Sequence, residues 1–296
     1  MYAKLSPKRG DILLAKNGTT GVAAVVDSDE IFDIYVSLAL LRPKSGVNVS
    51  YLCSALNSED LKRQFNSSLK GIGVPNLHLR EIKKARIIFP PIDIQNKISS
   101  ITKQIDKSKF LLQQILEKFE LLKKSRFIEM FGDVINNKKT WPTKRWSYVL
   151  NIVNGKNQKK VECENGIYPI CGSGGKIGKT NEYLTKENSV IIGRKGNINN
   201  PILMKTKFWN VDTAFGLEPN NKDINVEYLY KFCELFDFQR LNKTVTIPSL
   251  TKSDLLKIEI PVPPMKLQEE YRNFLAQVDK SKLIIQKALE DLVGKV

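Results

Sequence analysis

Residues 75–119, PNLHLREIKKARIIFPPIDIQNKISSITKQIDKSKFLLQQILEKF, lie over residues 248–292, PSLTKSDLLKIEIPVPPMKLQEEYRNFLAQVDKSKLIIQKALEDL, at a constant offset of 173 and without a gap. Pro75 and Pro248, Leu77 and Leu250, the Pro-Pro pairs at 90–91 and 263–264, and Gln95 and Gln268 coincide. So does the run Asp106-Lys107-Ser108-Lys109, repeated as Asp279-Lys280-Ser281-Lys282. A unit present twice is read as a repeat first, because each copy then constrains the other.

Each Pro-Pro pair opens a long helical pattern. Proline fixes φ and has no N–H, so a helix tolerates it at its first turn, where that donor would lack a partner. Behind the first pair, Ile94, Ile98, Ile101, Ile105, Ser108, Leu112, Ile115, Phe119 and Leu122 recur at alternating spacings of four and three. Behind the second, Leu267, Tyr271, Phe274, Val278, Ser281, Ile285, Ala288 and Leu292 follow at the same offset. A sustained period of about 3.5 residues is the seam of a coiled coil; an amphipathic helix on an ordinary globular core is the other reading. The two seams are expected to bury each other. Ser108 and Ser281 sit mid-seam and can meet in either direction, so these residues leave parallel and antiparallel pairing open.

Ahead of each helix lies a mixed segment. Asp11 to Ala15, Val22 to Val26 and Tyr35 to Leu41 read as strands in the first copy, and Val190 to Gly193, Ile202 to Met204 and Thr213 to Leu217 in the second. Both continue into a helix with tyrosine near its start, at Tyr51-Leu52 and Tyr228-Leu229. The fold class is α+β. The predicted organisation is a partial first domain over 1–91, a connector helix over 92–131, a linker over 132–140, a second domain over 141–264 and a second connector over 265–296. Matching Gly18 to Gly196, an offset of 178, leaves Trp141 to Gly178 without a counterpart. The first domain thus lacks its opening part, either because the chain is a truncated form or because another subunit supplies the missing strands.

Lys and Arg number 47 against 31 Asp and Glu, a formal charge of +16 that favours a polyanionic partner, nucleic acid foremost. A basic protein that binds no nucleic acid is the bland alternative. Cys53, Cys163, Cys171 and Cys233 form no C-x-x-C pair and the single histidine, His78, lies far from them in sequence, so no zinc site is expected. The lysine-rich composition suits reduced thiols in a cytosol better than disulfides. The longest apolar run, Ile31 to Leu41, is broken by Asp33 and is too short to cross a bilayer, so a soluble, cytoplasmic protein is expected.

Three motifs suggest chemistry and fail on inspection. Gly172 to Thr180 resembles a phosphate-binding loop, but serine stands at 173 where the spacing needs glycine, and Tyr168-Pro169-Ile170 is a poor buried strand. Phe89-Pro90-Pro91-Ile92 lacks both the polar residue that would hold a target amine and the aromatic that would stack on a flipped base. Glu81-Ile82-Lys83 fits a nuclease fragment, but the second copy has Asp254-Leu255-Leu256; it reads as a helix surface, and His78, opposite Thr251, as a turn or capping residue.

The segment Gly193 to Pro201 is more informative. Arginine and asparagine make bidentate bonds to guanine and adenine edges, and glycine lets backbone approach DNA closely. Arg194, Lys195, Asn197 and Asn199 are therefore candidate DNA contacts, with Lys16, Asn17, Thr19 and Thr20 as their first-copy partners. Lys156, Lys159 and Lys160, the glycine-rich Ser173, Lys176 and Lys179, and the paired loops bearing Lys70 and Lys243, Thr244 and Thr246 complete the set; their lysines suit phosphates.

The chain resembles the specificity (S) subunit of type I restriction-modification systems. The likeness rests on Tyr168-Pro169-Ile170 leading into Gly172-Ser173-Gly174-Gly175 and Ile177-Gly178, then Val190 to Gly196 and Trp209 to Phe215. It continues through Ile247 to Leu250, through Pro263-Pro264 with Gln268, and includes Phe131-Gly132-Asp133 after the first helix. The resemblance implies two target-recognition domains reading the halves of a bipartite site in double-stranded DNA. It also implies antiparallel connector helices that set their separation and help to dock methyltransferase subunits. In such systems the S subunit performs no chemistry and holds no cofactor; S-adenosylmethionine and ATP belong to the methyltransferase and restriction subunits. The short first domain is the departure, and another S chain is a candidate to complete it. The residues alone leave two other readings: a stand-alone methyltransferase or nuclease, and a basic coiled-coil assembly protein.

Overall fold

The computed structural model describes residues 6–68, 76–242 and 247–293. The chain divides into two compact units, residues 1–113 with 292–296, and residues 114–291.

In the first unit β1 (Ile12–Ala15), β2 (Ala23–Val25) and β3 (Leu38–Leu41) form an antiparallel sheet in the order β2-β1-β3. Ile12 and Leu14 alternate inward on β1 and are fully buried, as the two-residue period of a half-covered strand requires. Helices α1 (Val49–Leu56), α2 (Glu59–Ser68) and α3 (Leu79–Lys84) follow, and Leu56, Leu61, Phe65 and Leu77 close the core over the sheet. Asn48 starts α1 as its N-cap, its side chain accepting from the Tyr51 N–H. The helix α4 (Ile92–Phe131) begins directly after Pro90-Pro91.

The second unit contains the end of α4, β4 (Thr143–Arg145), α5 (Trp146–Val149), β5 (Leu150–Asn154), β6 (Tyr168–Gly172), β7 (Gly175–Thr180), β8 (Ser189–Gly193), β9 (Ile202–Met204), β10 (Trp209–Asn210) and β11 (Ala214–Pro219). It closes with α6 (Val226–Leu235), α7 (Lys252–Leu255), β12 (Glu259–Pro261) and α8 (Met265–Val293). Its main sheet has the order β5-β11-β8-β9, a smaller one β10-β6-β7, and β12 pairs with β4.

The duplication is visible strand by strand. β1 pairs antiparallel with β2 and β3, and β8 pairs antiparallel with β9 and β11. β11 also carries β5 on its far side. Among the described residues β3 has no such partner; β5 belongs to the stretch without a first-copy counterpart.

The unit boundary falls inside α4 and not at the expected 132–140 linker. Phe127 and Phe131 of α4 are buried against Tyr228 of α6 and Tyr271 of α8, with ring centroids 4.8 to 5.7 Å apart. This aromatic cluster makes the end of α4 part of the second core. The helix stops at Gly132, whose φ of 74° is open to glycine at little cost and whose N–H reaches Ile128 O at 2.7 Å. Lys139 Nζ donates to the carbonyls of Glu129 and Met130, and Trp141 Nε1 to that of Phe131, so the expected linker is a helix cap.

Within this unit the α4 end and α8 run antiparallel. Phe127 packs on Tyr271, Lys123 Nζ lies 2.6 Å from Asp279 Oδ1, and Glu120 meets Lys282, so the partner number rises as the α4 number falls. On α8 Tyr271 and Val278 are buried, while Leu267, Phe274, Ser281, Ile285, Ala288 and Leu292 are half-buried. On α4 the covered face differs from the expected seam. Leu112 and Phe119 are half-buried, but Ile115 and Leu122 are 38% and 45% exposed, and Leu116 and Lys123 are the better covered residues in those layers. In the second of these layers Lys123 keeps only 12% of its side chain exposed while its ammonium reaches Asp279, so a lysine takes the covered place that an apolar pattern assigns to Leu122. Earlier in α4, Ile105 is half-buried, Ile94, Ile98, Ile101 and Ser108 are exposed, and Gln95 and Ser99 are buried.

Candidate nucleic-acid interface

The topology brings the expected loops of the second unit to one sheet edge. β5 and β8 both run antiparallel to β11, so they end where β11 begins. In the smaller sheet β6 and β10 run parallel and end beside the start of β7. The loops that follow touch. Val211 N–H donates to Cys171 O at 3.0 Å and Lys156 N–H to Asn210 O at 3.0 Å. A methyl group on Gly193 would lie 2.1 Å from Asn197 O and 3.1 Å from Ser173 Cβ. Lys156, Ser173, Arg194, Lys195 and Asn197 therefore share one edge, with Lys156, Lys195 and Asn197 exposed.

The Arg194 loop is held by backbone. Arg194 N–H donates to Thr213 O at 2.8 Å, Leu250 N–H to Arg194 O at 2.9 Å and Gly196 N–H to Pro248 O at 3.0 Å. The Arg194 guanidinium lies 5.8 Å from the centre of the buried Phe215 ring. A cation–π contact of this kind limits the freedom of a long side chain, so less entropy is lost when it engages a base edge or phosphate. Lys195 bridges antiparallel to Ser249.

The first unit repeats this frame. Lys16 N–H donates to Ser37 O at 2.7 Å, Leu77 N–H donates to Lys16 O at 2.8 Å, and Asn17 bridges antiparallel to Asn76. Each bond has its counterpart in the second unit: Lys16 and Arg194 differ by 178, Leu77 and Leu250 by 173, and Ser37 and Thr213 by 176, the offset of the strand that each precedes. Asn17 and Thr19 are exposed, and Lys16 and Thr20 half-buried. A shallow pocket beside them is lined by Lys16, Asn17, Asn76, His78 and Arg80. His78 and Arg80, and Asp212 and Thr213 in the second unit, belong to these edges but are not among the contacts expected from the sequence, where His78 reads as a turn or capping residue and Thr213 as the start of a strand. The repeat offset was their signal, since Leu77 aligns with Leu250.

Other candidates lie elsewhere or are otherwise engaged. Asn199 donates through Nδ2 to Asp237 Oδ1 at 2.9 Å and accepts the Phe238 N–H at 2.8 Å. Asn199 is exposed, and its amide ties the loop to the 3-10 turn Phe238–Leu241. Lys176 starts β7 near the edge, whereas Lys179 pairs with Pro169 further along that strand. Lys159 and Lys160 are exposed in the turn leading to Glu162, which bridges to Thr180. Lys70, Lys243, Thr244 and Thr246 lie outside the described residues.

Gly172 to Thr180 is a hairpin with Gly175 at a φ of 107°, and no helix follows the glycines to present N–H groups to a phosphate. The doubtful Tyr168-Pro169-Ile170 is a strand after all. β10 pairs only with Ile170 and Cys171, so Pro169 faces no donor-requiring neighbour on that side. Glu81 bonds Arg80 and Lys84 on the surface of α3, and His78 takes the N-cap position there without a side-chain bond.

Fold and site define a class: a repeat protein of two related α+β modules, each with basic loops at one sheet edge and a long helix behind it. Residues 2–121 and 138–293 match the family described as type I restriction modification DNA specificity domain, and the chain belongs to that family. The family is the non-catalytic, DNA-recognising component of those systems.

The type I restriction enzyme MjaIX specificity subunit of Methanocaldococcus jannaschii is 25% identical over 184 residues, covering 56% of this chain and 42% of that relative. The match thus spans less than half of the relative's length. A crystal structure of a type I restriction-modification system S subunit from M. genitalium has a TM-score of 0.58 over 98% of this chain and 81% of its own, at 19% identity. A chain solved in a study of complex assembly and conformational transition of the type I R-M system reaches 0.68 over 97% and 79%, at 16% identity. At such identities the likeness is one of fold. Among the described residues no helix is long and apolar enough to cross a membrane.

Proposed function

We propose that this chain is the sequence-reading subunit of a type I restriction-modification complex in the cytoplasm, its two modules each contacting one half of a bipartite duplex site. The observation that carries the reading is the repeated frame, in which Leu77 and Lys16 in one module, and Leu250 and Arg194 in the other, make the same bond below a basic loop. Lys156, Lys176 and Lys195 suit phosphates; Arg194, Asn197, Asn17 and Lys16 suit base edges. The chemistry is assigned to partners: methyltransferase subunits that transfer a methyl group to adenine and restriction subunits that cut.

The test is co-expression with a methyltransferase subunit, followed by mapping of modified adenines. Modification confined to one two-part sequence, and only when this chain is present, supports the reading. Methylation by the purified chain alone, or a pattern indifferent to it, overturns it.

A further inference from the structure

The two modules share a second device, at the joint between each module and the helix that follows it. Gln268 is fully buried in the first turns of α8. Its Nε2 donates to Pro263 O at 2.8 Å and to Asp223 O at 2.9 Å, and its Oε1 accepts the Asn225 N–H at 2.9 Å. Asn225 is the N-cap of α6 and accepts the Tyr228 N–H. One amide thus ties the head of the long helix, the Pro-Pro turn before it and the start of a core helix. Gln95 holds the corresponding place in the first module, also fully buried, donating to Pro90 O at 2.8 Å and accepting the Asn48 N–H at 2.9 Å. Asn48 caps α1 in the same way. A tyrosine one turn on completes each joint: Tyr51 donates to Ile88 O at 2.6 Å and Tyr228 to Pro261 O at 2.9 Å.

The chemistry explains the choice of side chain. The site presents a backbone donor and backbone acceptors around one buried position, and only a neutral primary amide of this length satisfies both. Glutamate would bring a charge and no donor, and an apolar residue would leave the donor and acceptors buried without partners. Ion pairing is not the shared device. Glu227 and Arg272, which also link α6 to α8, align with Ser50 and Ser99 in the first module.

We propose that Gln95 and Gln268 are positioning residues for DNA recognition: each locks its module to its own helix at a fixed angle, so that the distance between half-sites is read stringently. This rests on the function proposed above. A rigid link gives full effective concentration at one span and little at others, whereas a loose joint accepts a range of spans at lower affinity.

The test uses the full chain and duplexes built from the target that the unmodified protein selects from a random pool. Against duplexes with spacers altered by one base pair, Gln268→Met is expected to reduce the spacing discrimination about tenfold. Its preference between matched and mismatched bases within each half-site should stay within about twofold of the unmodified chain. Gln95→Met, at the less heavily bonded joint, is the second variant should Gln268→Met fail to fold. Spacing discrimination unchanged in a folded variant, or half-site preference lost while discrimination persists, overturns the proposal. If the unmodified chain selects no sequence, it is the proposed function that has failed.

Discussion

The backbone N–H of Leu250 donates to the carbonyl oxygen of Arg194 at 2.9 Å, fixing the loop after β8 to the segment that enters α7. A loop pinned this way, with its guanidinium 5.8 Å from the centre of the Phe215 ring, presents a defined donor fork. Arg194→Ala is expected to relax preference at one half-site by about 1–3 kcal/mol between matched and mismatched bases. Equal weakening on all sequences would assign Arg194 to phosphate.

Lys195, exposed beside it, is expected to behave differently. Lys195→Ala should weaken binding to all sequences alike and lower the slope of log affinity against log salt by about 1, as one phosphate contact is lost. Titrations at several salt concentrations measure this directly.

Asn199 separates support from contact. Because both ends of its amide are engaged by Asp237 and Phe238, Asn199→Ala should cost about 1–2 kcal/mol of stability in urea denaturation. The ratio of affinities for matched and mismatched half-sites should be preserved at temperatures where the variant is folded. A changed ratio with unchanged stability would place Asn199 on the DNA.

Glu227 sets an acid limit. Burial pushes its carboxyl up, but hydrogen bonds from Lys205 at 2.5 Å and Arg272 at 2.9 Å outweigh this and hold it below its ordinary value of 4.5. A carboxyl with a depressed folded pKa binds fewer protons folded than unfolded, so its contribution is complete above that ordinary value and is lost as pH falls through the folded one. Glu227→Gln should lower stability by about 1–3 kcal/mol at neutral pH and flatten the acid limb of a urea-midpoint profile. An acid limb of unchanged steepness in the variant would show that this carboxyl is not linked to folding.

The strands and helices were legible where one physical signal dominated. Short unbroken apolar runs gave β1 and β8, and Pro90-Pro91 with Pro263-Pro264 marked the starts of α4 and α8. The misreadings arose where long-range context decides. Pro169 lies in a strand because its neighbour β10 is only two residues long, which nothing local reveals. Leu122 yields its layer to Lys123 because Asp279, distant in sequence, waits across the helix pair. Asn199 reads as a base contact by residue type, and its bond to Asp237 depends on a residue 38 positions away. Glutamines 95 and 268 were visible as a repeated letter, but their role depends on Asn48 and Asn225 being folded against them.

The central claim is that two copies of one frame read a single duplex in two places. Selection of the full chain's preferred duplexes from a random pool tests it most directly. The account predicts two short blocks of preferred bases separated by a constant stretch without preference, with Arg194→Ala relaxing preference within one block alone. Enrichment of a single continuous block, or of none, would contradict it.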